Sequence, residues 1–85
     1  MGRWVSSPSY QAAVRVLTEA RKAAGLTQRA LAGKISRPYT LIANIERGER
    51  RIDVIEFVAI ARALGISETE LMQALAEALG PSIEF

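Results

Sequence analysis

The sequence predicts an all-α fold, five short helices joined by tight turns. Three observations point to it. Apolar residues recur at spacings of three and four along most of the chain. Residues that start helices (Ser, Thr, Asp) and residues that stop them (Gly, Pro) follow one another at helix-length intervals. The every-second-residue alternation of a half-buried strand appears nowhere. Helices this short are marginal alone in water, so the five must be held by a shared core.

The first helix opens at Ser7-Pro8, with Ser7 as N-cap and Pro8 at the first helical position. Tyr10, Val14, Leu17, Arg21 and Ala24 form its stripe, and Gly25 stops it. Thr27 caps a second helix of about eight residues, Gln28-Arg29-Ala30-Leu31-Ala32-Gly33-Lys34. Ser36-Arg37-Pro38 interrupts it, because the residue before a proline is pushed away from helical angles. Pro38 starts a third helix through Ile42, Ile45 and Glu46, stopped at Gly48. A polar connector, Glu49-Arg50-Arg51-Ile52, follows.

Asp53 and Glu56 have the spacing of a capping box. They open a fourth helix that the apolar set Val54, Ile55, Val58, Ile60, Ala61 and Leu64 predicts to be nearly buried, ending at Gly65. Ser67-Glu68-Thr69-Glu70 repeats the capping pattern and opens a fifth helix with Leu71, Met72, Leu75, Ala78 and Leu79, stopped by Gly80-Pro81. The expected organisation is an N-terminal arm over residues 1–8, one domain over 9–79, and a C-terminal tail over 80–85.

Composition narrows the function classes. A chain of 85 residues allows one domain. With 49% hydrophobic and 24% charged residues it is an ordinary globular sequence. No apolar run reaches the roughly 18 residues of a membrane span, and no signal-peptide pattern opens the chain. Cysteine and histidine are both absent. That removes disulfides, thiolate and imidazole metal sites, and the usual general base. Glu46 and Glu49 have no base, ligand or nucleotide motif beside them, and the Ser and Thr hydroxyls lack a histidine partner. No enzyme, metal or cofactor is expected, and the expected setting is a reducing cytoplasm.

The net charge of +2 hides an asymmetry. Residues 1–52 hold ten Lys and Arg against three acids, a net +7. Residues 53–85 hold one base against six acids, a net −5. One end of the chain invites a polyanion and the other repels it.

The second and third helices, meeting through a turn at 35–37, have the spacing of a helix-turn-helix. On the third helix Tyr39, Thr40, Ala43 and Asn44 are placed outward, with Ile42 and Ile45 inward. A helix fits the DNA major groove, and its first turns reach base edges. Asn44 suits the adenine N6/N7 edge, Thr40 a thymine methyl, and Tyr39 a base edge or phosphate. Arg37, Arg47, Arg50 and Arg51 surround this helix as phosphate contacts. Beside Arg3, Trp4 is expected to dock the N-terminal arm, with Arg3 near phosphate.

The stretch Ala20-Arg21-Lys22-Ala23-Ala24-Gly25-Leu26-Thr27-Gln28, then Leu31-Ala32, Ile45-Glu46-Arg47-Gly48, and Ile60-Ala61-Arg62-Ala63-Leu64-Gly65-Ile66, resembles the Cro and lambda-repressor (Xre) helix-turn-helix family. The resemblance spans residues 14–76 and rests on several motifs in the right order. It implies a five-helix lambda-repressor-like DNA-binding domain with the helix-turn-helix in helices two and three. Gln28 stands where the family commonly contacts phosphate from the start of helix two, and Thr27 beside it is also expected at phosphate. Tyr39, Thr40 and Asn44 stand at base-facing positions, and Arg47 with its loop where the family grips the backbone. Arg21 and Glu46 match a pair that in several members forms an internal salt bridge.

Two departures stand out. Ser36 replaces the family's usual glycine after helix two, and a left-handed turn there costs serine on the order of 1 kcal/mol. Pro38 replaces the more usual Ser or Thr cap. Tyr39 is also bulkier than the common small polar residue, so its readout does not carry over.

The C-terminal part holds more apolar surface than one short helix buries. Leu71, Met72, Leu75, Leu79, Ile83 and Phe85 are expected to form a homodimer seam, as relatives commonly dimerise on palindromic sites. The competing expectation is that the tail folds back on its own core. The resulting reading is a dimeric transcriptional repressor on double-stranded DNA, associated with the nucleoid when bound. Its rivals are an antitoxin that holds a protein partner through the C-terminal part, and a non-DNA interaction module on the same fold.

Overall fold

The computed structural model describes residues 7–85, and Arg3 and Trp4 lie outside the described residues. Five α-helices follow one another: α1 (Pro8–Ala23), α2 (Gln28–Lys34), α3 (Tyr39–Glu46), α4 (Val54–Leu64) and α5 (Glu68–Leu79). Among the described residues no strand is present and no helix is long and apolar enough to cross a membrane.

Four of the five helix starts carry a side-chain cap. The Ser7 hydroxyl accepts from the Tyr10 amide, and Thr27 accepts from Ala30 at 3.0 Å. Asp53 accepts from Glu56 at 2.7 Å while the Glu56 carboxylate accepts from the Asp53 amide at 3.0 Å, which closes the expected capping box. Ser67 accepts from Thr69 and Glu70. Pro38 is the N-cap of α3 and supplies no side-chain bond. Ala24, expected in the stripe of the first helix, is its exposed C-cap.

The helices share a core of two joined clusters. Leu17, Leu41, Ile45, Phe57, Ala61 and Leu71 form one. Leu31, Ala32, Ile42, Ile60 and Leu64 form the other. Ala20, Ile35, Ile52 and Ile66 pack against both and join them. Covering each such aliphatic side chain contributes about 1.5–3 kcal/mol, which is what holds these short helices. Contacts of α3 with both α2 and α1 fix the helix-turn-helix to the body.

The structure corrects two expectations about packing. The fourth helix is not nearly buried: Val54 and Ile55 are 77% and 76% exposed. Its core face is Phe57, Ile60, Ala61 and Leu64. Ile55 falls off that face, and Val54 sits in the first turn, at the edge of an open groove with Met72. Leu71, expected at a dimer seam, is a core residue at 2% exposure. Leu75 and Leu79 are half-buried, Leu75 against the same core.

The tail returns to its own body. The Glu84 amide donates to Ser9 Oγ at 2.8 Å, and the Ser7 hydroxyl donates to the Glu84 carbonyl. Ser7 and Ser9 are buried at this junction. Ile83 and Phe85, although exposed, line a groove with Tyr10, Leu75 and Leu79.

Candidate nucleic-acid interface

The turn between α2 and α3 sets how the third helix is presented. Ser36 adopts φ 57°, the left-handed region. Its amide donates to the Gly33 carbonyl at 3.2 Å, and the Arg37 amide donates to Ala32 at 3.0 Å. These two bonds are the Schellman pattern that satisfies a helix end. Gly25, Gly48 and Gly65 end α1, α3 and α4 in the same left-handed region. Only the second helix uses a residue with a Cβ there, which is the departure expected at Ser36.

Glu46 is the acceptor that locks the unit. Arg21 on α1 donates to it twice, Nε to Oε2 at 2.7 Å and Nη2 to Oε1 at 3.0 Å. The third Arg21 bond, Nη1 to the Leu26 carbonyl at 2.7 Å, holds the approach to α2. Gln28 Nε2 donates to Glu46 Oε1 at 2.8 Å. One carboxylate thus ties α1, α2 and α3 together. The Glu46 bond raises the Arg21 pKa above its ordinary value, against the opposing effect of burial. The Gln28 amide, expected at phosphate, faces this internal acceptor.

Outward from the lock, Tyr39 and Thr40 are exposed and Asn44 is half-buried. Ala43 differs from the expectation of an outward residue. It is 5% exposed, because an eight-residue helix packed on two neighbours keeps only a narrow outer strip. The Asn44 carbonyl oxygen of the side chain accepts from Arg47, whose Nε lies 3.4 Å from Glu49.

The arginines expected at phosphate divide. Arg37, Arg47 and Arg51 are exposed. Arg51 lies over the Tyr10 ring, 5.4 Å from its centroid. Arg50 differs: its guanidinium grips Glu56 with two bonds, 2.7 and 2.9 Å. It also donates to the Arg51 carbonyl, so it braces the loop against the start of α4. The correction has a simple cause, since Glu56 is turned toward the loop by its own cap bond to Asp53. The Arg50 bond holds the Glu56 carboxyl below the usual carboxylate range, with help from the Asp53 amide and the charges of Arg50 and Arg37, and against burial.

One side chain was not singled out by sequence. Arg29 lies over the Tyr39 ring, with Cζ 4.0 Å from the centroid. The two residues belong to different helices, so no spacing rule joins them. The only available signal was an exposed base on the second helix beside an aromatic at the start of the third.

Comparison with known proteins matches this architecture. The helix-turn-helix family model HTH_3 matches residues 17–71, more than half of the chain. An XRE-family like protein from Pseudomonas syringae pv. tomato str. DC3000 is 44% identical, over 86% of this chain and 88% of that one, with a TM-score of 0.76. The restriction-modification controller protein C.AhdI from Aeromonas hydrophila is 31% identical, over 73% of this chain and 94% of its own, with a TM-score of 0.67. The controller protein C.Esp1396I, solved as a tetramer with its natural 35 base-pair operator, is 25% identical, over 84% of this chain and 93% of its own, with a TM-score of 0.76. No curated protein sequence matches. With motif, fold and internal salt bridge all in place, the chain belongs to the XRE family of helix-turn-helix DNA-binding regulators.

Proposed function

We propose that this protein is a sequence-specific transcriptional regulator that binds double-stranded DNA as a dimer on a two-fold symmetric operator, with repression as its effect. The observation that carries the reading is the outer strip of α3. Tyr39, Thr40 and Asn44 line it, and the exposed bases Arg37, Arg47 and Arg51 flank it. Tyr39 and Thr40, in the first turn, would meet base edges in the major groove, with Asn44 one turn on. The flanking arginines and the Thr27 end of α2 would meet phosphates, which supply affinity and salt dependence. Arg50 serves by bracing the loop against α4, and Gln28 by tying α2 to Glu46 on α3.

Of the seam expected over Leu71, Met72, Leu75, Leu79, Ile83 and Phe85, this reading keeps Met72 and joins it to Val54 and Ile55 on the face shared by α4 and α5. Val54, Ile55 and Met72 are exposed there, the last at 50%. Exposed apolar clusters of this kind mark association surfaces. The α4 part of this face directly follows the loop over 47–53 in sequence. A two-fold axis nearby would set two third helices on one side of a duplex, about 34–36 Å apart. Relatives support oligomeric action, as C.Esp1396I occupies its operator as a tetramer.

Selection from a randomised duplex library tests the reading. The expected result is an enriched motif of two inverted half-sites. Recovery of no motif would refute it. Sedimentation of Ile55→Asp tests the seam: a dimer for the unaltered chain and a monomer for the variant are expected, and an unchanged dimer would exclude this face.

A further inference from the structure

Arg29 follows Gln28 on α2, and Tyr39 opens α3. Both side chains are exposed, and the guanidinium stands 4.0 Å from the ring centroid. Four other arginines lie within ion-pair distance of carboxylates: Arg21 of Glu46, Arg50 of Glu56, Arg62 of Glu68 and, between two exposed side chains, Arg47 of Glu49. Among the described residues the Arg29 side chain makes no hydrogen bond and no ion pair, only this stack.

A stack occupies the face of a guanidinium and leaves its five N–H donors free in the plane. Two of those donors in parallel match O6 and N7 of guanine, the commonest specific contact in the major groove. An arginine held over a ring also starts with fewer rotamers to lose than a solvated one. The stack stands at the N-terminal turn of α3, where a recognition helix first meets base edges.

Resting on the DNA-binding reading above, we infer that Arg29 is a specificity-determining residue that reads a guanine next to the bases faced by Thr40 and Asn44. Tyr39 is then a positioning residue for it. The ring supports the guanidinium, and the phenol hydroxyl is left for a neighbouring base edge or phosphate.

The test repeats duplex selection with Arg29→Ala, Arg29→Lys, Tyr39→Leu and Tyr39→Phe. The unaltered chain returns a motif containing the guanine. Arg29→Ala and Tyr39→Leu lose preference at that same position, by roughly 5- to 150-fold in affinity, a loss larger than the one either shows on random duplex. Arg29→Lys loses it too, since a lysine lacks the planar fork. Tyr39→Phe keeps it, because the ring remains. An unchanged motif in Arg29→Ala would overturn the inference. So would an equal loss on every duplex, which is the signature of a phosphate contact. A native chain that selects no motif would refute the DNA-binding reading itself, a separate result.

Discussion

Arg21 on α1 and Glu46 on α3 meet in a two-bond pair with both side chains about nine-tenths covered, 11% and 10% exposed. Glu46 also accepts from Gln28, so the pair is the point at which three helices are held in one orientation.

Removing one partner leaves the other charge covered and unpaired. Glu46→Ala is expected to destabilise the fold by on the order of 3 kcal/mol, read by urea denaturation. Replacing both, as Arg21→Met with Glu46→Leu, is expected to cost clearly less. Equal losses for the single and double variants would show that the pair does not act as a unit.

Acid weakens the protein through Glu56. Its pKa is lowered in the folded chain, so its stabilising contribution is present above the ordinary value of 4.5 and is lost as pH falls through the lowered one. Glu56→Gln should remove that part of the pH dependence. Arg50 is 39% exposed, so the contribution is about 1 kcal/mol or less. Denaturation midpoints at pH 7 and pH 3 measure it.

At Ser36 a glycine should be better. The left-handed backbone costs any residue with a Cβ, and Ser36→Gly is expected to gain about 1 kcal/mol, offset in part by the freer unfolded chain. Thermal denaturation reads the change, and a loss of stability would mean that the serine side chain contributes something to the turn.

Base and phosphate contacts separate by their selectivity. Asn44→Ala is expected to weaken the preferred duplex by about 1–3 kcal/mol and to spare random duplex. Arg51→Ala is expected to weaken every duplex alike and to reduce the salt slope by about one unit. Fluorescence anisotropy on both duplexes distinguishes the two patterns.

Much of the fold was legible because it is punctuated. Ser7, Thr27, Asp53 and Ser67 cap where they are expected, and Gly25, Gly48, Gly65 and Gly80 follow the helices they were expected to stop. The resemblance to relatives supplied the Arg21–Glu46 pair. What escaped depends on how helices cross. Arg50 and Arg51 read alike as a basic run, yet only Arg50 is drawn to Glu56. Ala43 looked outward on a helical wheel, but packing on two neighbours covers it. Apolar counting could not assign Leu71 to the core and Ile55 to the surface, since both are simply large and aliphatic. The Arg29–Tyr39 stack joins helices across the turn and exists only once their angle is set.

The most direct measurement is a salt titration of affinity for the selected duplex and for a scrambled duplex of equal length. The account predicts that log affinity falls linearly with log salt for both, and that the selected duplex is bound at least about a thousandfold more tightly at physiological salt. Equal affinity for the two duplexes, or binding indifferent to salt, would contradict it.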